Sequence, residues 1–200
     1  MTKRLYKVDK GNKSYFISAN NIIQARRTAD KEDENHIIYV GIAKPLDKDT
    51  AKKMEVNPKS ILVIKTNWRN IPYSDKFTRG SYHKADPGYP HESLILLNKD
   101  TATKSDLRHE VAHHILNKPR SDYSKSPEEL AYDELRTELL AQTKGGKILH
   151  IRHFILGTAG DIEETFNVSK ERAMSAIGKG LKRIKAPTIW MNDFKEVSKK

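Results

Sequence analysis

The segment Leu107-Arg108-His109-Glu110-Val111-Ala112-His113-His114 holds three residues whose types and spacing suit hydrolytic chemistry. His109 and His113 stand four positions apart, so on a helix their imidazoles lie one turn above each other and can grip one tetrahedral ion. Glu110 follows the first histidine directly. Its carboxylate is too far round the helix to be a good ligand, but it can take the proton of a water in the fourth ligand position, which is how HExxH sites hydrolyse amides. His114 points about 100° away from His113 and reads as a surface or hydrogen-bonded core histidine.

Two histidines leave such a site incomplete, and the chain has no cysteine to finish it. A third ligand must be His, Asp or Glu. Ser126-Pro127-Glu128-Glu129 has capping-box spacing with proline at the first helical position, and the predicted helix runs on to Ala141. Leu130, Ala131, Leu135 and Leu139 define its apolar face, and Glu134 and Glu138 project within that face. Carboxylates there are costly unless paired or metal-bound. Asp133 and Arg136 fall outside it. His150 and His153 are weaker candidates for a third imidazole.

Glu134 follows His113 by 21 positions, and Glu138 lies one turn beyond. This resembles the gluzincin arrangement, which implies Glu134 as the third zinc ligand and Glu138 as the acidic group that orients a ligating histidine. On the residues alone the reverse assignment stays open, as does plain ion pairing of both carboxylates with Arg136 or lysines. The metzincin pattern is excluded, since Pro119 stands where it needs histidine. A strand (Ser93 to Asn98), a polar link, HExxH and a Glu-bearing helix also resemble ImmA/IrrE-like metallopeptidases over roughly residues 90 to 185. The chain departs from them at Leu135-Arg136-Thr137-Glu138, where they carry small residues and an aromatic. The resemblance implies a zinc-dependent peptidase, often encoded on mobile elements, that cleaves a repressor or similar regulator.

The elements that must position these residues are readable in outline. Leu5 to Val8 and Ser14 to Ser18 flank a Gly11-Asn12 turn, a helix capped by Asn20 or Asn21 follows, and His36 to Ile42 reads as a third strand. Residues 1–50 thus form a small ββαβ module, 51–145 a zincin-like core and 146–200 a helical segment. Residues 66–91, broken by Pro72, Gly80, Pro87, Gly88 and Pro90, read as a long irregular loop. It carries Tyr73, Tyr82, His83 and Tyr89, of which the last three are candidates, with Tyr123 and His150, for an oxyanion-stabilising side chain. Ser93 to Asn98 is expected as the edge strand that pairs with an extended substrate. Three helices are expected to fill most of the remainder, the first capped by Thr103 or Ser105 and ended by Asn117 and Pro119.

Composition narrows the classes. The 200 residues carry 37 Lys+Arg against 26 Asp+Glu, a formal net charge of +11, and no Cys. Disulfide frameworks, thiolate zinc sites, iron–sulfur clusters and cysteine nucleophiles are thereby excluded. No apolar run reaches the roughly 18 residues of a membrane span, and the amino terminus lacks a signal-peptide core, so a soluble, cytoplasmic protein is expected. About half of the charge excess falls after Gln142. There, Asp161 to Arg172 leads into Ala173 to Ile184 with a turn at Asn167-Val168 and Ser169 as N-cap, which is helix-turn-helix spacing and resembles the promoter-reading helices of sigma factors. Lys170, Arg172, Lys179, Lys182 and Arg183 could contact phosphates there. The competing expectation is that this pair packs within the protein and exposes its basic side, because Gly178 and Gly180 weaken the second helix.

The sequence therefore predicts an α+β, zincin-like metallopeptidase that binds Zn2+ and acts on a protein or peptide, with a DNA contact as an accessory. A DNA-binding regulator with a structural or inactive metal site is the alternative. Only hydrolysis would need Glu110.

Overall fold

In the computed structural model, residues 3–10, 13–29, 37–71, 79–83, 93–116 and 126–199 are described. The fold is α+β, with six strands and seven α-helices among these residues. It divides into two units, residues 1–117 and 118–200.

The first unit is built on a mixed sheet. Strands β1 (Lys3–Lys10) and β2 (Lys13–Ala19) form an antiparallel hairpin, helix α1 (Ile22–Thr28) is capped by Asn21, and β3 (Ile37–Pro45) returns beside β1. The ββαβ order expected of the first fifty residues is present, although Gly11, Asn12 and His36 lie outside the described residues. These strands join β4 (Ile61–Thr66), β5 (Gly80–His83) and β6 (Ser93–Asn98) in the order β2-β1-β3-β4-β6-β5. Strand β6 pairs with β4 in parallel and with β5 antiparallel, so it lies inside the sheet. That corrects the edge-strand expectation: all six residues of β6 are buried, as an unbroken apolar run requires, and the neighbouring edge is β5. Strand β5 also corrects part of the long-loop expectation. Pro72, Tyr73, Pro87, Gly88, Tyr89 and Pro90 lie outside the described residues.

A further element escapes sequence reading. Helix α2 (Lys48–Met54) lies in the lysine-rich stretch, started by Asp47, whose side chain accepts from the Thr50 amide at 2.9 Å. It buries Thr50, Ala51 and Met54 and turns four polar or lysine side chains outward, which hides its periodicity. Helix α3 (Lys104–Ile115) begins with a full capping box between Thr103 and Asp106. Asn117, Pro119 and Tyr123 lie outside the described residues.

The second unit is helical: α4 (Pro127–Lys144), α5 (Arg152–Phe166), α6 (Lys170–Arg183) and α7 (Thr188–Val197). With α3, five helices follow β6 where three were expected. Helix α7, with Pro187 at its N-cap, has no counterpart among the expected elements. A single apolar core joins all four through Leu130, Leu135, Ile155, Ile162, Ile177 and Trp190. Asn167, in the left-handed conformation at φ 50°, ends α5, and Ser169 caps α6.

Glycine explains how closely α6 and α4 meet. A Cβ on Gly180 would stand 2.9 Å from Leu135 Cδ1 and 3.4 Å from backbone atoms of Ala131 and Tyr132. At Gly157 and Gly160 of α5 it would meet nothing within 4 Å. Gly180→Ala is therefore expected to destabilise the protein by about 1–2 kcal/mol through overpacking. Gly157→Ala should stabilise it by about 0.5–1 kcal/mol through helix propensity. Urea unfolding of both variants checks the opposite signs.

Candidate metal centre

Helix α3 lies along the β5–β6 edge of its unit, and the sheet register fixes what faces it. Tyr82 stands opposite Ile95, and Gly80 opposite Leu97. Ser93, on the same face of β6 as Ile95 and Leu97, shares a 3.0 Å hydrogen bond with His114 Nδ1 at the end of α3. The Tyr82 hydroxyl in turn shares a 3.2 Å bond with Ser93 Oγ. The Tyr82 ring lies parallel to that of His113 at 6.5 Å between centroids and edge-on to His114 at 6.0 Å. Burial pushes the Tyr82 phenol above its ordinary range and the His114 imidazole below its own. His114 is thus an anchor of the helix, as the residue reading expects.

With α3 so held, His109 and His113 present Nε2 to Nε2 at 3.2 Å. Two nitrogens each about 2.0–2.1 Å from a tetrahedral ion stand about 3.3 Å apart, so the pair fits one such ion without rearrangement. The distance also suits an N–H···N hydrogen bond between neutral imidazoles. His113 is buried and His109 partly so. Glu110 is buried too, and its carboxylate packs on the β5 backbone: a Cβ added to Gly80 would come within 2.9 Å of Glu110 Oε1. Gly80 is needed there for close approach.

On α4, Glu134 and Glu138 are both buried, on the face shared with Leu130, Ala131 and Leu135. His109 and His113 of the first unit and Glu134 of the second are residues of types that could hold a metal ion. Two imidazoles and a carboxylate are a donor set that suits zinc and other borderline divalent ions, and the described residues offer no thiolate. Glu138 is placed otherwise. Its Oε1 accepts a 2.7 Å hydrogen bond from the side-chain amide of Gln142, a residue the sequence reading passed over because glutamine in a helix carries no motif.

The remaining candidates lie elsewhere in their units. His83 shares a 3.1 Å bond with Ser81 and sits edge-on to Phe16. His150 donates to Asp193 at 2.8 Å, and with His153 it lines a depression beside Glu138. Of the five cations offered to phosphate, Arg172 and Lys179 pair with Glu128 at 2.6 and 3.0 Å, and the Arg183 guanidinium lies 3.7 Å over the Tyr132 ring. Lys170 and Lys182 are exposed. Any phosphate reaching α6 competes with these contacts.

No helix among the described residues is long and apolar enough to cross a membrane. No family model, curated protein or solved structure matches the chain.

The Arg172 and Lys179 hydrogen bonds hold the Glu128 carboxyl down at about 2. A depressed carboxyl contributes stability that is complete above its ordinary value of 4.5 and fades as pH falls toward 2. The partly exposed site keeps the amount small. Melting temperature followed from pH 6 to 2 should therefore fall less steeply in Glu128→Gln than in the unmodified protein between about pH 4.5 and 2.

Proposed function

We propose that this protein is a metal-dependent peptidase with a zincin-like centre in which His109, His113 and Glu134 hold a zinc ion. The observation that carries the reading is the 3.2 Å approach of the two Nε2 atoms on one helix face, a spacing that suits ligands of a single ion. Such an ion polarises a carbonyl and makes a water acidic enough to attack it at neutral pH.

The chain's own residues supply the rest. Glu110 takes a proton from the attacking water on its carboxylate and passes it to the leaving amide nitrogen, so that water adds across the broken C–N bond. Gly80 keeps that carboxylate close to the backbone of β5. Strand β5 is the sheet edge beside the HExxH helix, so an extended peptide pairing with it would lie along the row of reacting groups. We assign the substrate-pairing role to β5 in place of β6. The order of strand, HExxH helix and Glu-bearing helix supports an ImmA/IrrE-like relationship and, with it, a protein regulator as substrate. The Arg172 and Lys179 pairing with Glu128 gives the DNA-binding alternative no added support.

Metal analysis with peptide hydrolysis tests this. The purified chain is expected to hold about one zinc, lost in His109→Ala and in Glu134→Ala. Glu110→Gln and Gly80→Ala should keep the zinc, with Glu110→Gln lowering cleavage of a quenched fluorescent peptide library by at least about 10²-fold. Zinc kept in Glu134→Ala but lost in Glu138→Ala would exchange the two carboxylates' roles, and a chain that takes up no zinc would refute the reading.

A further inference from the structure

The metal-centre reading leaves open what holds Glu138, and the second unit contains a buried polar chain that ends on it. Gln142 lies one turn along α4 from Glu138 and is itself buried. Its amide has two ends of opposite character. The backbone amide of Leu149, which can only donate, meets Gln142 Oε1 at 2.6 Å. The oxygen end is thereby fixed, so the NH2 end must face Glu138, where it donates at 2.7 Å. Gln142 cannot flip without setting two donors against each other and leaving the carboxylate facing an oxygen.

The Leu149 amide that locks this orientation belongs to residues 147–151, a connection with no regular structure between α4 and α5. The C-terminal helix holds it in place. Trp190 Nε1 donates to the Leu149 carbonyl at 3.0 Å, and Trp190 is fully buried. Asp193, only 1% exposed, accepts from the Ile151 amide at 2.8 Å, from His150 at 2.8 Å and from Arg152 Nε at 3.0 Å. Burial opposes the Asp193 charge, but these donors outweigh it and keep the carboxyl below its usual range. Glu138 and residues 150–154 then line one surface depression of about 390 Å³. A connection of this kind would ordinarily be the least fixed part of a helical unit. Here the Leu149 carbonyl and the Ile151 amide are both tied to α7.

We propose that Gln142 is a positioning residue for Glu138, and that α7, through Trp190 and Asp193, is the strut that sets it. The proposal rests on the metal-centre reading, with Glu138 in the ligand-orienting role that the gluzincin resemblance implies. It makes the C-terminal helix part of the centre's supporting structure, although none of its side chains belongs to the metal-capable group.

Zinc affinity of the full chain, measured by competition with a chromophoric chelator and paired with thermal melts, tests this. Gln142→Met should weaken zinc binding by about 10-fold or more, the usual size of an outer-shell loss. Glu138→Gln should weaken it similarly, and the double variant should bind no worse than Glu138→Gln alone, because Gln142 acts through Glu138. Trp190→Phe, which keeps a ring but removes the donor to Leu149, should weaken binding in the same direction. Should Gln142→Met fail to fold, Gln142→Glu, which still accepts from Leu149 but cannot donate to Glu138, takes its place with the same expectation. Affinity within twofold of the unmodified chain in a folded Gln142 variant, or fully additive losses in the double variant, would overturn the inference alone. Absence of zinc binding in the unmodified chain would overturn it together with the reading beneath it.

Discussion

The rotation of α3 about its own axis decides whether His109 and His113 can face one ion, and the sheet beneath it sets that rotation. Three contacts do so within one short stretch. The Ser93 bond to His114 fixes the last turn, the Tyr82 ring backs His113, and Gly80 admits the Glu110 carboxylate against the β5 backbone. A helix free to turn by even one residue's worth, about 100°, would exchange His113 for His114. The bond between buried Ser93 and half-buried His114 makes that exchange costly, since it would leave the Ser93 hydroxyl short of a partner away from water. The neighbouring histidine is thus what keeps the ligand pair in register.

Close approach is the common device at several levels of this protein. Gly80 lets a carboxylate lie on a strand, and Gly180 lets α6 lie on the α4 backbone. Buried polar groups are then held in pairs or chains: Tyr82 with Ser93 and His114, Glu138 with Gln142 and Leu149, Asp193 with His150, Ile151 and Arg152. Each chain meets the requirement that buried donors and acceptors find partners. Each also gives its side chains a single orientation, which a ligand set needs more than it needs affinity in any one bond.

Much of the site was legible in the sequence because its parts are local. The spacing of His109, Glu110 and His113 defines a helix face, Ser126 and Pro127 start the next helix, and Glu134 and Glu138 stand out as carboxylates on an apolar stripe. What was not legible is long-range. The apolar run Leu94 to Leu97 reads equally as an edge or an interior strand until its partners are known, and Gly80 to His83 is too short to show alternation among the prolines and glycines around it. Gln142, Trp190 and Asp193 bear no motif at all. Their importance lies in partners seven to 43 residues away, which periodicity cannot report. The basic face of α6 misled in the opposite sense, since its charge suggests phosphate while Glu128 and Tyr132 already engage Arg172, Lys179 and Arg183.

The central claim is that two imidazoles from one helix and the Glu134 carboxylate share one ion. X-ray absorption at the zinc edge of the metal-loaded protein reads that ligand set directly. The account predicts two imidazole nitrogens and a carboxylate oxygen at about 2.0–2.1 Å, unchanged in Glu138→Gln apart from weaker loading. A shell of three or more imidazoles, or of oxygens alone, would contradict it.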